Sequence, residues 1–223
     1  MSSLSGSVVL VVGASGGLGS RIAAQLVEAG STVIRAARQP SSLSGPDSFL
    51  ADLREPTSAA ALVEAAVATH GRLDGLVLAA GVVAFGPVGE LTDETVAELF
   101  AVNMTAPIAL IRAAIPHLAA SKNEPFIVTL SGVVSESPTA GLAAYSASKA
   151  GLAAFTQAAS RELRRSGIRI VDARPGHTET GLATRAIAGT SPAFPTGLDP
   201  DAVATRIIAA VVDGEKDLPS TAF

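Results

Sequence analysis

The chain has 223 residues, 48% of them hydrophobic and 16% charged, whereas an ordinary soluble domain carries about 25% charged residues. Disorder is excluded, and the length suits one domain with a sizeable core, residues 1–223. With 16 Lys+Arg against 20 Asp+Glu the net charge is −4, so no basic field is available to hold a nucleic-acid backbone.

Zero cysteines exclude a disulfide framework, thiolate metal sites and a cysteine nucleophile, and they fit a reducing cytoplasm. The three histidines show no paired metal spacing. Residues 1–7 lack the basic start of a secretory signal. The uncharged stretch at residues 75–89 is broken by four glycines and Pro87 and is shorter than the roughly 20 residues that cross a bilayer. The expectation is a cytoplasmic protein with neither a nucleic-acid nor a membrane partner.

Short β-branched runs alternate with longer Ala-rich stretches, the pattern of a parallel sheet covered on both faces. Residues 8–12 predict a first buried strand, residues 18–29 a helix with Ile22, Leu26 and Ala29 on one face, and residues 32–36 a second strand. A short strand at 49–52, a helix at 57–69 and a strand at 75–79 follow. After a Gly/Pro-rich loop, Thr92 caps a helix running to about Val102, and Pro107 opens a second one reaching Ala119. Strands at 126–130 and 168–173 flank a long helix at 145–165; a helix at 199–212 and a seventh strand at 218–223 complete the chain. The loops at 39–46 and 189–200 are rich in Ser, Pro and Gly. Right-handed crossovers then give a doubly wound α/β sheet of six or seven strands, with its ligand crevice beyond the strands' carboxyl ends.

Two motifs carry chemistry. Gly13-Ala14-Ser15-Gly16-Gly17-Leu18-Gly19 lies where the first strand hands over to the first helix. Glycines there permit close backbone approach, and the free N–H groups of the following helix favour a pyrophosphate. A glycine turn that is only a tight connection is the plainer alternative. Tyr145-Ser146-Ala147-Ser148-Lys149 places a phenol and an ammonium on one helical face. A cation beside tyrosine favours phenolate and lowers its pKa towards the range of general acid/base catalysis; a merely solvated face is the alternative.

Together these motifs resemble the short-chain dehydrogenase/reductase family, with its T-G-x-x-x-G-x-G turn and later Y-x-x-x-K. The resemblance extends over nearly the whole chain: Gly13, Gly17 and Gly19, then Asp52, Ala80-Gly81, Asn103 and Pro175-Gly176 follow in order. It implies a single-domain Rossmann-like fold. It also implies that Tyr145 is the general acid/base, that Lys149 holds the nicotinamide ribose and lowers the tyrosine pKa, and that Asn103 supports a water-linked proton relay. By the same resemblance Ser15, Leu18 and Leu53 join the glycines and Asp52 around the dinucleotide. Pro175, Gly176, Thr178 and Thr180 meet its carboxamide and phosphates. The helices at 107–119 and 145–165 match the family's subunit contacts, implying a homodimer or homotetramer.

Three positions depart from the pattern. Val12 replaces a threonine, and Leu78-Ala79 replace two asparagines, so side-chain ties between strands are lost. The family serine lies 13 residues before the tyrosine, where this chain has Gly132; Ser131 is one residue further. Either a bulge re-aims Ser131 towards Tyr145 or the substrate-orienting hydroxyl is missing.

At the end of the second strand, where an acidic residue selects NAD in this family, stands Ala37, followed by Arg38, whose guanidinium suits a 2′-phosphate. NADP is the expected cofactor, with NAD second. The expected activity is an NADP-preferring interconversion of a carbonyl and a secondary alcohol on a small, mainly apolar substrate. The rival is a non-catalytic, redox-sensing dinucleotide-binding module on the same fold.

Overall fold

The computed structural model describes residues 4–39, 43 and 47–223. The start of the 1–7 segment and most of the loop expected at 39–46 lie outside the described residues.

Seven parallel strands form one sheet in the order β3-β2-β1-β4-β5-β6-β7. They are β1 (Val8–Val12), β2 (Thr32–Ala37), β3 (Ser48–Leu50), β4 (Gly75–Leu78), β5 (Phe126–Leu130), β6 (Arg169–Ala173) and β7 (Asp217–Leu218). Side chains alternate across the pleat. Leu10, Ile34, Leu76, Ile127 and Ile170 pack with α2 (Ser58–His70), α4 (Ala106–Ala120) and α5 (Ala143–Leu163). Val9, Val11, Val33, Val77, Val128 and Val171 pack with α1 (Gly17–Glu28) and α6 (Pro200–Asp213). Burial on both faces explains why the central β1 and β4 read as unbroken apolar runs.

The strand order reverses between β1 and β4, which opens the crevice where the doubly wound pattern places it. The lost threonine and asparagines are replaced by main-chain ties. Ala79 N–H donates to the Val12 carbonyl at 2.8 Å, and Gly13 and Ala14 N–H groups both donate to Ala36, at 2.9 and 3.1 Å.

Two expected elements differ. Instead of separate helices, α3 (Asp93–Phe100) runs through a π turn (Ala101–Thr105) directly into α4. Pro107 has no N–H to give to the Asn103 carbonyl four residues back, so the helix widens there rather than ending. By length and composition alone the run Asp93–Ala120 is apolar enough to cross a bilayer, but Leu110, Ile111, Ala114 and Leu118 are fully buried within the protein. The last strand is only Asp217–Leu218, because Pro219 ends it and a short 3₁₀ turn, Ser220–Ala222, follows.

Candidate active site

The carboxyl ends of the strands and the loops after them enclose a cavity of about 530 Å³. Gly13, Ser15, Gly17, Leu18, Arg38, Asp52, Leu53, Ala80, Gly81, Tyr145, Lys149, Pro175, Gly176, Thr178 and Thr180 all border it. Of the residues singled out in the sequence, Gly19 and Asn103 do not.

Close packing explains the glycines. A Cβ at Gly13 would lie 2.4 Å from the Ala80 nitrogen, one at Gly17 would lie 2.6 Å from the Thr180 Cβ, and one at Gly19 would lie 2.2 Å from the Gly13 carbonyl oxygen. Gly19 therefore serves the cavity from beneath, letting helix and turn touch. Gly16 caps α1 without a side-chain bond, and no acidic residue stands in the first turn. The first N–H groups of a 12-residue helix thus meet the cavity without a protein anion, which fits a dinucleotide pyrophosphate.

At the far side of β1, Ala37 is buried and the exposed Arg38 borders the cavity beside Asp52 and Leu53. Asp52 is engaged by Arg54: Nε donates to Oδ1 at 3.0 Å, and so does the Arg54 backbone N–H. The Arg54 guanidinium holds the Asp52 carboxyl below its usual range, and Arg38 adds to the effect.

The reacting end is built on α5. Tyr145 lies within an apolar cluster with Val83, Phe85, Val134, Leu142 and Leu182. One turn on, the buried Lys149 donates from Nζ to the Leu130 carbonyl at 2.7 Å. Its ammonium stands 6.0 Å from the Tyr145 ring centroid. Burial pushes the Tyr145 phenol up to about 12, and burial brings Lys149 down to about 8 against a smaller opposing pull from Asp172. The expected lowering of the tyrosine by its lysine is therefore corrected. In the free protein desolvation dominates, because the ammonium is bound to a backbone carbonyl and the phenol sits among hydrocarbon.

Asn103, fully buried in the π turn, is held on three sides. Its Oδ1 accepts from Val82 N–H at 2.9 Å, while Nδ2 donates to the Val82 carbonyl at 2.9 Å and to Ser148 Oγ at 3.1 Å. The side chain thus clamps the segment beside Gly81. Thr178 donates to the Gly176 carbonyl at 3.0 Å, and Thr180 packs on Gly17.

Ser131 borders the cavity, but its hydroxyl is not turned to Tyr145 as the bulge reading expected. Its hydroxyl is fully buried and donates to Asp172 Oδ2 at 2.6 Å; among the described residues it makes no bond to Tyr145. The reason is strand alternation: Ser131 and Thr129 share one face, and Thr129 donates to the other oxygen of Asp172 at 2.7 Å. No bulge intervenes. Gly132 follows with φ 72° and ψ 165°, a region that only glycine occupies without strain.

Several lining residues carried no motif and were not legible in advance. Segment 180–198 folds over the cavity, and its Ile187 N–H donates to Val83 at 2.8 Å while its Ala188 carbonyl accepts from Phe85 N–H at 2.9 Å. Phe194 from this segment stacks on His177 with centroids 4.7 Å apart and lies 6.1 Å from Phe85. The family resemblance places a segment closing over substrate from Thr180 to Pro200, but its Ala-, Gly-, Thr- and Pro-rich composition singled out none of these residues.

The family model described as short chain dehydrogenase matches residues 7–190. An uncharacterized oxidoreductase of Methylorubrum extorquens is 34% identical over 204 residues, covering 85% of this chain and 80% of that protein. A short-chain dehydrogenase structure from Streptomyces avermitilis superimposes with a TM-score of 0.86 at 28% identity, covering 98% of this chain and 90% of that one. A metagenomic short-chain oxidoreductase solved with NADP gives 0.82 at 32% identity, covering 98% and 97%. The chain belongs to the short-chain dehydrogenase family, and it is an NAD(P)-dependent oxidoreductase.

Two outcomes follow from this geometry. Gly132→Ser is expected to lose about 1–3 kcal/mol of stability with no gain in turnover; unchanged denaturant unfolding with faster turnover would contradict the strain. The Lys149 value in the folded protein, about 8, lies below its ordinary 10.5, so between those pH values the unfolded chain binds more protons. Wild type should therefore gain stability relative to Lys149→Met as pH rises through that window, a trend that cofactor-free melting curves would record; a flat or reversed difference would refute the depressed value.

Proposed function

We propose that the protein is an NADP-preferring carbonyl reductase acting on a small, mainly apolar carbonyl compound. The observation that carries this reading is the Tyr145 phenol, protonated at neutral pH and set in an apolar wall of the cavity, with the Lys149 cation one turn away on the same helix.

A reduced nicotinamide, when bound, would supply the hydride for the carbonyl carbon. Tyr145 gives its proton to the oxygen as negative charge develops there, leaving a phenolate. Lys149, cationic below about pH 8, stabilises that phenolate until the proton is restored. The Ala80–Val82 segment, clamped by Asn103, together with the α1 N-terminus and the loop from Pro175 to Thr180, would hold the dinucleotide. Val83, Phe85, Leu142, Leu182 and Phe194 surround the substrate end with hydrocarbon, which favours an uncharged substrate.

Preference for NADP is supported by the pairing of Ala37 with Arg38: no carboxylate stands at the end of β2 to repel a 2′-phosphate, and a guanidinium lies at the cavity rim to receive it. The absence of cysteine supports a cytoplasmic setting. The exposed small residues of α5, among them Ala143, Ala147 and Ala154, support pairing of this helix with a second copy. The missing hydroxyl at Gly132 is the observation on which a non-catalytic, redox-sensing reading rests.

Binding titrations should give NADPH a dissociation constant about tenfold or more below that of NADH, a difference of about 1.4 kcal/mol; equal constants, or tighter NADH, would remove the assignment of Arg38. In a screen of NADPH oxidation against apolar ketones and aldehydes, Tyr145→Phe should lose about 10²–10⁴-fold in turnover while retaining cofactor affinity. A loss of less than about tenfold would refute the role of Tyr145, and tight NADPH binding with no turnover on any carbonyl would favour the sensing module.

A further inference from the structure

Asp172 is a buried carboxylate that the reduction does not use. It lies on β6, paired in register with Thr129 of β5. Oδ1 accepts from Thr129 at 2.7 Å, and Oδ2 accepts from Ser131 at 2.6 Å and from Arg174 Nη1 at 3.2 Å. Thr129 also meets Thr156 of α5, with the two hydroxyls 3.4 Å apart. Between the two anchored hydroxyls sits Leu130, whose side chain turns to the opposite face of the sheet and whose carbonyl receives the Lys149 ammonium. Hydrogen bonds to an ionised group are the strong ones, so this carboxylate fixes the end of β5 on both sides of the carbonyl that matters.

We propose that Asp172 is a positioning residue of the active site: it pins Thr129 and Ser131 so that the Leu130 carbonyl holds Lys149, and its negative charge keeps that lysine cationic. The inference rests on the reading of Tyr145 and Lys149 as the reacting pair. It also gives a physical reason for the displaced serine, since Ser131 anchors the strand end instead of touching substrate.

The charges around the pair are few. Lys149 is faced by Tyr145 on its own helix, by the neutral Asn103 region of the π turn near Gly81, and by Asp172 from β6. Asp172 is faced by Arg174, which also pairs with Glu136 and, at 2.8 Å, with Asp217. Arg174 therefore partly offsets the field that Asp172 exerts on Lys149. Removing the carboxylate should make the ammonium harder to keep, and removing the guanidinium should make it easier.

The chain contains only Lys122, Lys149 and Lys216, so the three side chains can be followed by NMR in cofactor-free protein carrying ¹³C-labelled lysine, with Lys149 assigned from the signal lost in Lys149→Met. In wild type its midpoint is expected near 8. Asp172→Asn should lower the midpoint by about 0.5–1 unit, and Arg174→Gln should raise it. Opposite signs are a response that a merely structural role would not produce. Should Asp172→Asn fail to fold, Arg174→Gln alone decides. Midpoints unmoved in folded variants, or moved in the same direction, would overturn the proposal. Midpoints that move as stated while no carbonyl is reduced would keep the positioning role and remove the reductase reading. In the active protein, the alkaline limb of NADPH-dependent reduction should follow the NMR midpoints from variant to variant.

Discussion

An ammonium buried against a single backbone carbonyl is the constraint on which the reacting end of this protein depends. Lys149 Nζ reaches the Leu130 carbonyl at 2.7 Å, with burial working against its charge and Asp172 partly restoring it. A cation in such a place is costly unless its surroundings are fixed. The surroundings are fixed: β5 is paired on both sides, its end is held through Thr129 and Ser131, and Asn103 secures the neighbouring segment beside Gly81. The phenol of Tyr145 then inherits its environment from the helix that carries both groups.

The opposite end obeys a steric constraint. β1, α1 and the segment after β4 meet so closely that Gly13 and Gly19 have no room for a Cβ, and Thr180 leaves none at Gly17. The same contact leaves the first turn of α1 uncapped and free of acidic side chains. Tight packing and anion binding therefore have one origin: the helix can approach β4 only through glycine, and that approach aims its N–H groups into the crevice. The two ends share the sheet as a common base, since parallel register lines up Val12, Ala36, Leu78 and Thr129, with Leu130 one residue beyond.

Most of this was legible in the sequence. The apolar run that became β1 carries no polar interruption and that of β5 only Thr129, and Thr92 marks its helix by capping, with a bond to Thr95 N–H. The glycine turn and the Tyr/Lys spacing led to residues that share one cavity. The π turn was not legible, because Pro107 suits both a fresh first turn and a widened continuing helix. Nor was the direction of Ser131: motif spacing suggested a hydroxyl for the tyrosine, while the partner that claims it, Asp172, lies 41 residues away in sequence and becomes adjacent only through β5–β6 pairing. The tyrosine's environment failed for a similar reason. The lysine on its own helix was visible, but the hydrocarbon brought from the 83–85 and 180–187 segments was not.

Tyr145 is the sole tyrosine, and the chain has no tryptophan, so the ultraviolet absorbance of phenolate reports this one group. An alkaline titration of the cofactor-free protein tests directly whether burial, rather than the neighbouring ammonium, governs the proton donor. The account predicts a midpoint near 12, above the ordinary 10.0. A midpoint below 10.0 in the folded, cofactor-free protein would contradict it, since Lys149 would then dominate the phenol despite its bond to Leu130.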